Sequence, residues 1–324
     1  MSLNFTKINL AMNAAVECAR QYVGATSPNP AVGAAALDHE GEIIAVAAHK
    51  HAGKLHAERE LIELLTEMGR LSDCVTMVVT LEPCSHHGKT PPCADALEEQ
   101  TQIKRVIYGQ KDCNPLVGGK GHAKLVEAGK EVVCYEESPA RDLEVLESVV
   151  RLNAPFFHWV RTGLPFVIVK VALNREGSMI PAAGQKTFTS NDSLVIAHIL
   201  RRESGAIITG SGTVLADQPE FTVRHVPDHE DAPSRELVVL DRRGRVPDPK
   251  YRVGHDYLTE LKRLGKQGVT QVLVEAGVSL TQAVFALGIW NESVIIRQAI
   301  INGEPDQIEI KTNVCFQESL NKQL

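Results

Sequence analysis

Apolar positions in the first 135 residues switch repeatedly between a helical period and an extended one. Over residues 7–22, Leu10, Ala14, Ala15 and Cys18 fall at helical spacing, which predicts an amphipathic helix broken by Gly24 and Ser27-Pro28-Asn29-Pro30. Residues 32–37 and 43–48 read as strands joined through Glu40-Gly41 as a hairpin. Residues 57–68 put Leu61, Leu64, Leu65 and Met68 on one helical face, with Gly69 as the stop. Residues 75–80 form a run of strand character, and a helix restarts at 93–99 behind Pro91-Pro92. Strand 105–108, helix 121–128 and strand 131–134 complete the series, and this alternation predicts a layered α/β domain over residues 1–147.

The second half repeats the logic. Leu143 to Phe157 is apolar at helical spacing, and Thr162-Gly163-Leu164-Pro165 then punctuates the chain, so residues 148–164 are expected to connect two domains. From residue 165 to 324 a second α/β unit is expected. Its strands fall at 167–171, 206–209, 237–240 and 271–274, and its helices near 191–203, 256–264 and 279–287.

Composition narrows the function. An apolar content of 44% with 23% charged residues is ordinary for a folded chain of 324 residues and excludes a disordered or fibrous one. The most apolar run, 165–173, is short and contains Lys170, so no membrane partner is expected. Seven cysteines form no regular framework, which points to a reduced, cytoplasmic setting. Residues 1–147 hold 14 Lys and Arg against 21 Asp and Glu, a balance of −7, and the remainder holds 20 against 19. A chain that tracks nucleic acid carries a basic excess, so a small-molecule substrate is expected instead.

One constellation carries chemistry. His56-Ala57-Glu58 opens a helix, Glu82-Pro83-Cys84 ends a strand, and Cys93 opens the next helix. One imidazole and two thiolates suit Zn²⁺ and leave a fourth tetrahedral corner for water, which zinc acidifies. Glu58, two residues past His56, is expected to point away from the ligand direction, beside that water, as a proton shuttle. His-x-Glu followed by Pro-Cys and a second Cys is the pattern of zinc nucleobase deaminases. The other five cysteines fit no ligand pattern.

Eight residues separate Cys84 from Cys93, and the run from Glu82 through Ser85-His86-His87-Gly88-Lys89-Thr90-Pro91-Pro92 to Cys93 closely resembles the bifunctional riboflavin-biosynthesis deaminase/reductase family. Pro28-Asn29-Pro30-Ala31-Val32-Gly33, His49, Asn114-Pro115-Leu116-Val117 and Gly118-Gly119-Lys120-Gly121 extend that resemblance over residues 10–135. It implies a cytidine-deaminase-like three-layer domain acting on a phosphoribosylated pyrimidine. Asn29 and His49 would face the base, and His86, Lys89 and Thr90 the phosphoribosyl part. Homo-oligomers are common in the family.

The second half resembles the family's dihydrofolate-reductase-like domain, which uses NADPH to reduce the ribosyl group. The matches are Gly163-Leu164-Pro165-Phe166-Val167, Lys170 and Ala172, Arg201, the run from Thr209 to Arg224, and Val274-Glu275-Ala276-Gly277. The resemblance implies substrate contacts from Arg201, Phe221, Arg224 and Glu275, and cofactor contacts from Lys170, Ala172, Thr213, Asp217 and Gly277. The usual Lys-x-Ala-x-Ser-x-Asp-Gly reads here Lys170-Val171-Ala172-Leu173-Asn174-Arg175-Glu176-Gly177, and a family serine and tryptophan stand as Gln185 and Thr187. The stretch between Asp241 and Gln271 looks too short for the strand and helix usual there, and the part after Glu275 looks abbreviated, so the domain is expected to be a shortened one. Two readings of this half stay open at this point, a working reductase and a catalytically degenerate structural domain.

Overall fold

In the computed structural model, residues 4–85, 91–114, 118–182, 184–185, 187–230, 234–246, 251–301 and 303–313 are described. The chain divides between Arg161 and Thr162 into two units. In the first, α1 (Phe5–Arg20) precedes a hairpin of β1 (Gly33–Leu37) and β2 (Ile43–Ala48), followed by α2 (Ala57–Glu67), β3 (Thr76–Leu81), α3 (Cys93–Glu99), β4 (Arg105–Gln110), α4 (Lys120–Glu127), β5 (Glu131–Cys134) and α5 (Leu143–Thr162). The five strands lie in the order β2-β1-β3-β4-β5, with β1 antiparallel to its neighbours and β3, β4 and β5 parallel.

The hairpin forms because the Asp38 carboxylate accepts the backbone N–H groups of Glu40 and Glu42, both at 2.9 Å, and Gly41 takes the left-handed conformation. Strand β1, Gly33-Ala34-Ala35-Ala36-Leu37, is buried along its whole length. Its alanines have little side chain, so helices close over both faces. Ala34 and Ala36 share a core with Leu61 and Leu65 of α2, Met77 and Val79 of β3, and Leu97 of α3. Burying each such leucine contributes about 2 kcal/mol. On the α1 side the approach is backbone to backbone, since a Cβ on Gly33 would stand 1.9 Å from the Ala15 carbonyl oxygen.

Register then gathers the chemistry. Gly33 pairs with Ala48 and Ala34 with Val79, so the start of β1 and the ends of β2 and β3 share one rim of the sheet.

The second unit holds β6 (Phe166–Leu173), α6 (Asn191–Glu203), β7 (Ala206–Gly210), α7 (Ser211–Asp217), β8 (Glu236–Leu240), β9 (Arg252–Gly254), α8 (Tyr257–Lys266), β10 (Gln271–Glu275), α9 (Val278–Leu287), β11 (Glu292–Arg297) and β12 (Gln307–Thr312). The strand order is β12-β11-β6-β10-β7-β8-β9, and every adjacent pair is parallel except β11 with β12. Val167, Val169, Ile208, Val238, Val272 and Val274 pack with Leu261 and Leu264 of α8. The Ser190 hydroxyl caps α6 and the Asp256 carboxylate caps α8, each accepting a backbone N–H of the first turn.

One expectation needs correction. The stretch from Asp241 to Gln271 does hold a strand and a helix, because β9 needs only three residues and α8 starts three residues after it. After Glu275, α9, β11 and β12 carry the sheet to seven strands.

Candidate active site

His56, Cys84 and Cys93 come together on that rim. His56 is the N-cap of α2 with extended backbone, Cys84 follows the turn leaving β3, and Cys93 is the first residue of α3 behind Pro92. The His56 Nδ1 lies 3.6 Å from the Cys84 Sγ and 3.4 Å from the Cys93 Sγ, and all three ligand atoms fall within 4.8 Å of one another. Tetrahedral zinc with ordinary Zn–N and Zn–S lengths spaces a nitrogen and a sulfur about 3.5 Å apart, so the trio has the size and donor chemistry for that ion.

The backbone N–H of Cys93 also donates to the Cys84 Sγ at 3.3 Å. Hydrogen bonding from Cys93 and from the His56 ring outweighs burial and holds the Cys84 thiol down at about 4. Cys93 is pushed well above the usual thiol range by its partner Cys84, by burial and by Glu58. A divalent cation bound by the two sulfurs would favour the thiolate form of both.

Glu58 sits in the first turn of α2 and is 3% exposed. Burial foremost, then the nearby Cys84, raises its pKa, while hydrogen bonding with Cys93 opposes the shift. The expected rotation of Glu58 away from His56 does not apply, because His56 is extended rather than helical, and both side chains face the same cluster. Asn29 and His49 also meet there, with Asn29 Nδ2 3.3 Å from His49 Nε2 and the His49 ring 5.2 Å from that of His56. His49 Nδ1 is 2.8 Å from the Leu55 carbonyl, which can only accept, so Nδ1 carries the proton and Nε2 accepts from Asn29. Burial lowers the His49 pKa and keeps the ring neutral. His86, Lys89 and Thr90 lie outside the described residues.

Two supporting residues escape sequence reasoning. Glu82 is buried, and its carboxylate accepts the backbone N–H groups of Asp112 (3.3 Å), Gly119 (2.9 Å) and His122 (3.1 Å). It thereby ties the strand end ahead of Cys84 to the start of α4. Gly121 completes that junction, since a Cβ there would stand 1.9 Å from the Pro83 carbonyl oxygen. Arg59 donates to the Pro91 and Pro92 carbonyls at 3.2 and 3.0 Å, fixing the chain just before Cys93. The only signal for these roles is their adjacency to Glu58 and Cys84.

In the second unit, Glu275 at the end of β10 accepts two hydrogen bonds from Arg201 and one from Lys170, each 2.8 Å. Burial alone would raise this carboxyl, but the two cations bring it down to about 2. Lys170 and Arg201, expected on cofactor and substrate respectively, thus belong to one ionic cluster. The Arg201 guanidinium lies 5.7 Å from the centroid of the buried Phe221 ring and donates to the Thr222 carbonyl. Phe221 has φ 52°, a strained conformation for a bulky residue. The strain is held in place from the next residues, where the Arg224 N–H donates to His198 Nδ1 at 2.8 Å. The exposed Arg224 side chain pairs with Glu220. Thr213 accepts the Gly277 N–H at 3.0 Å, joining α7 to the turn that follows β10. Ala172 is half-buried on β6, and Asp217 is exposed at the far end of α7.

Comparison with known proteins follows the same division. Residues 6–110 match the cytidine and deoxycytidylate deaminase zinc-binding region, and residues 165–322 match the RibD C-terminal domain. The riboflavin biosynthesis protein RibD of Aquifex aeolicus is 41% identical over 240 residues, 73% of this chain and 62% of that one. The Escherichia coli RibD is 32% identical over 327 residues, 88% of this chain and 85% of that one. Among solved structures, Acinetobacter baumannii RibD superposes with a TM-score of 0.77 at 31% identity, covering 94% of this chain and 90% of its own. A diaminohydroxyphosphoribosylaminopyrimidine deaminase/5-amino-6-(5-phosphoribosylamino)uracil reductase from Thermotoga maritima gives 0.77 at 29% identity over the same shares.

Fold and site define a zinc-binding domain of the cytidine deaminase class, joined to a dihydrofolate-reductase-like domain. The chain belongs to the RibD family of riboflavin biosynthesis proteins. It spans about three fifths of the length of its Aquifex relative.

Proposed function

We propose that the first unit deaminates 2,5-diamino-6-ribosylamino-4(3H)-pyrimidinone 5′-phosphate by zinc-dependent hydrolysis, and that the second unit then reduces the ribosyl group with NADPH. The observation that carries the first step is a His56–Cys84–Cys93 cluster at zinc spacing with a buried carboxyl, Glu58, beside it. When bound there, zinc acidifies water into a nucleophile at neutral pH.

The chain's own groups do the rest. Glu58, whose proton affinity burial has raised, accepts a proton from water and hands it to the departing amine, so that ammonia leaves. Asn29 gives one N–H to His49 and keeps its amide oxygen and second N–H for the pyrimidine edge. His86, Lys89 and Thr90 are assigned to the phosphoribosyl part. In the second unit, Arg201, Phe221, Arg224 and Glu275 are assigned to the substrate. Lys170, Ala172, Thr213, Asp217 and Gly277 are assigned to NADPH, whose phosphates suit the backbone amides at the start of α9.

Glu58→Gln tests the proton relay. Zinc should stay near one ion per chain by atomic absorption while deamination falls about 10²–10⁴-fold. Full turnover in this variant would remove Glu58 from the mechanism. A titration with NADPH tests the second step, and an absence of saturable binding would leave a deaminase carrying a structural domain.

A further inference from the structure

Arg201 reaches the carboxyl end of β10 from α6, and His198 lies three residues earlier on the same helix, hence on the same face. The helix is fixed from its start, where Asp306 accepts the Ser190 N–H and the Ser193 hydroxyl, both at 2.7 Å. Arg201 is held in turn by both oxygens of Glu275. No functional assignment so far uses His198, although its side chain is buried against this site, with 2% exposure.

Against that face lies the segment from Pro219 to Arg224, which is neither helix nor strand and carries Phe221 and Arg224. Among the described residues, two hydrogen bonds tie this segment to the rest of the unit, and both run to α6. Arg201 donates to the Thr222 carbonyl at 3.2 Å, and the Arg224 N–H donates to His198 Nδ1 at 2.8 Å. The Arg224 guanidinium bonds within the segment, to Glu220 at 2.8 Å and to the Thr222 hydroxyl at 2.6 Å. Phe221, with φ 52°, is not in a conformation that such a stretch keeps unaided.

Histidine suits this place because of where its protons sit. A backbone N–H can only donate, so Nδ1 is bare and the neutral ring carries its proton on Nε2. A second proton would remove the acceptor and set a positive charge beside Arg201, whose Nη1 is 3.5 Å from Nε2. Burial foremost, then Arg201, His225 and Arg224, brings the His198 pKa down to about 4, against a weaker opposing pull from Glu275. The His225 ring, 4.7 Å away, packs on the same imidazole. His198 is therefore a fixed acceptor at neutral pH. Without it, Phe221 and Arg224 lose one of two anchors while Arg201 and Glu275 stay paired. Substrate binding would then have to order the segment, at a cost in affinity.

We propose that His198 is a positioning residue of the second unit, holding residues 219–224 so that Phe221 and Arg224 meet the substrate already in place. This rests on the reductase reading of that unit. The test follows NADPH oxidation by the full chain with the deaminated pyrimidine as the varied substrate, in the wild type and in His198→Leu, His198→Asn and His198→Gln. His198→Leu fills the space without an acceptor. It should raise KM for the pyrimidine about tenfold or more, with kcat within about threefold and NADPH binding as in the wild type. An asparagine amide oxygen stands near the place of Nδ1, so His198→Asn should recover most of the loss. The glutamine oxygen stands near the place of Nε2, so His198→Gln should not. An unchanged KM in His198→Leu, or equal KM values in the Asn and Gln variants, overturns the inference and leaves the reductase reading standing. Should His198→Leu fail to fold, as a joint loss of NADPH binding and of its circular dichroism would show, the Asn and Gln pair decides by itself. A wild-type chain that neither binds nor oxidises NADPH overturns both.

Discussion

Glu58 and Glu275 are both buried carboxyls, and their surroundings send them in opposite directions. Glu58 meets apolar burial and a thiolate, so its proton is held more tightly. Glu275 meets two cations and falls to about 2, below its ordinary 4.5. A depressed carboxyl stabilises the fold fully above its unfolded value and loses that contribution as pH falls from 4.5 through about 2. The shift corresponds to roughly 3 kcal/mol. Glu275→Gln should therefore cost about that much at pH 7, with the deficit shrinking toward pH 2, as read by hydrogen exchange of the β6 and β10 amides. The zinc trio and Glu58 were legible in the sequence because their order and spacing are themselves the pattern. Glu82 and Arg59 were not, because each acts on backbone groups 30 to 40 residues away, and no side-chain identity there marks the partner.

At the level of elements, close approach matters more than propensity. Gly121→Ala would force α4 off the Pro83 carbonyl, so a loss of about 1–3 kcal/mol is expected, with weaker zinc retention because Cys84 is the next residue. Gly212→Ala in α7 meets open space and should be neutral or slightly stabilising. Denaturant midpoints and zinc content of the two variants separate these outcomes. Long periodic segments such as α2, α6 and the valine-rich strands were readable from their apolar spacing. Those missed have a common cause. Helix α7 begins in Gly210-Ser211-Gly212, β9 has three residues, and β12 alternates only two isoleucines, Ile308 and Ile310, with polar residues, so each signal is too short to stand out. Strand β11, Glu292–Arg297, holds only a brief apolar run of its own and is placed by pairing with β6.

At the scale of the whole molecule, the two chemistries draw on separate stretches of chain. The zinc cluster lies within the first unit, and the residues assigned to NADPH lie within the second. Chelation of the metal should abolish deamination while leaving the NADPH titration unchanged, and a parallel loss of dinucleotide binding would contradict this independence. No helix among the described residues is long and apolar enough to cross a membrane.

The shared rim of the first sheet has a practical consequence at its opposite end. The turn from Asp38 to Gly41 is held by its own hydrogen bonds, and His39 within it is exposed. A peptide affinity handle inserted at this turn sits at the other end of β1 from His56, Cys84, Cys93, Asn29 and His49. Such a tagged chain should turn over the proposed pyrimidine substrate at the untagged rate, giving a silent grip by which the chain can be tethered and watched.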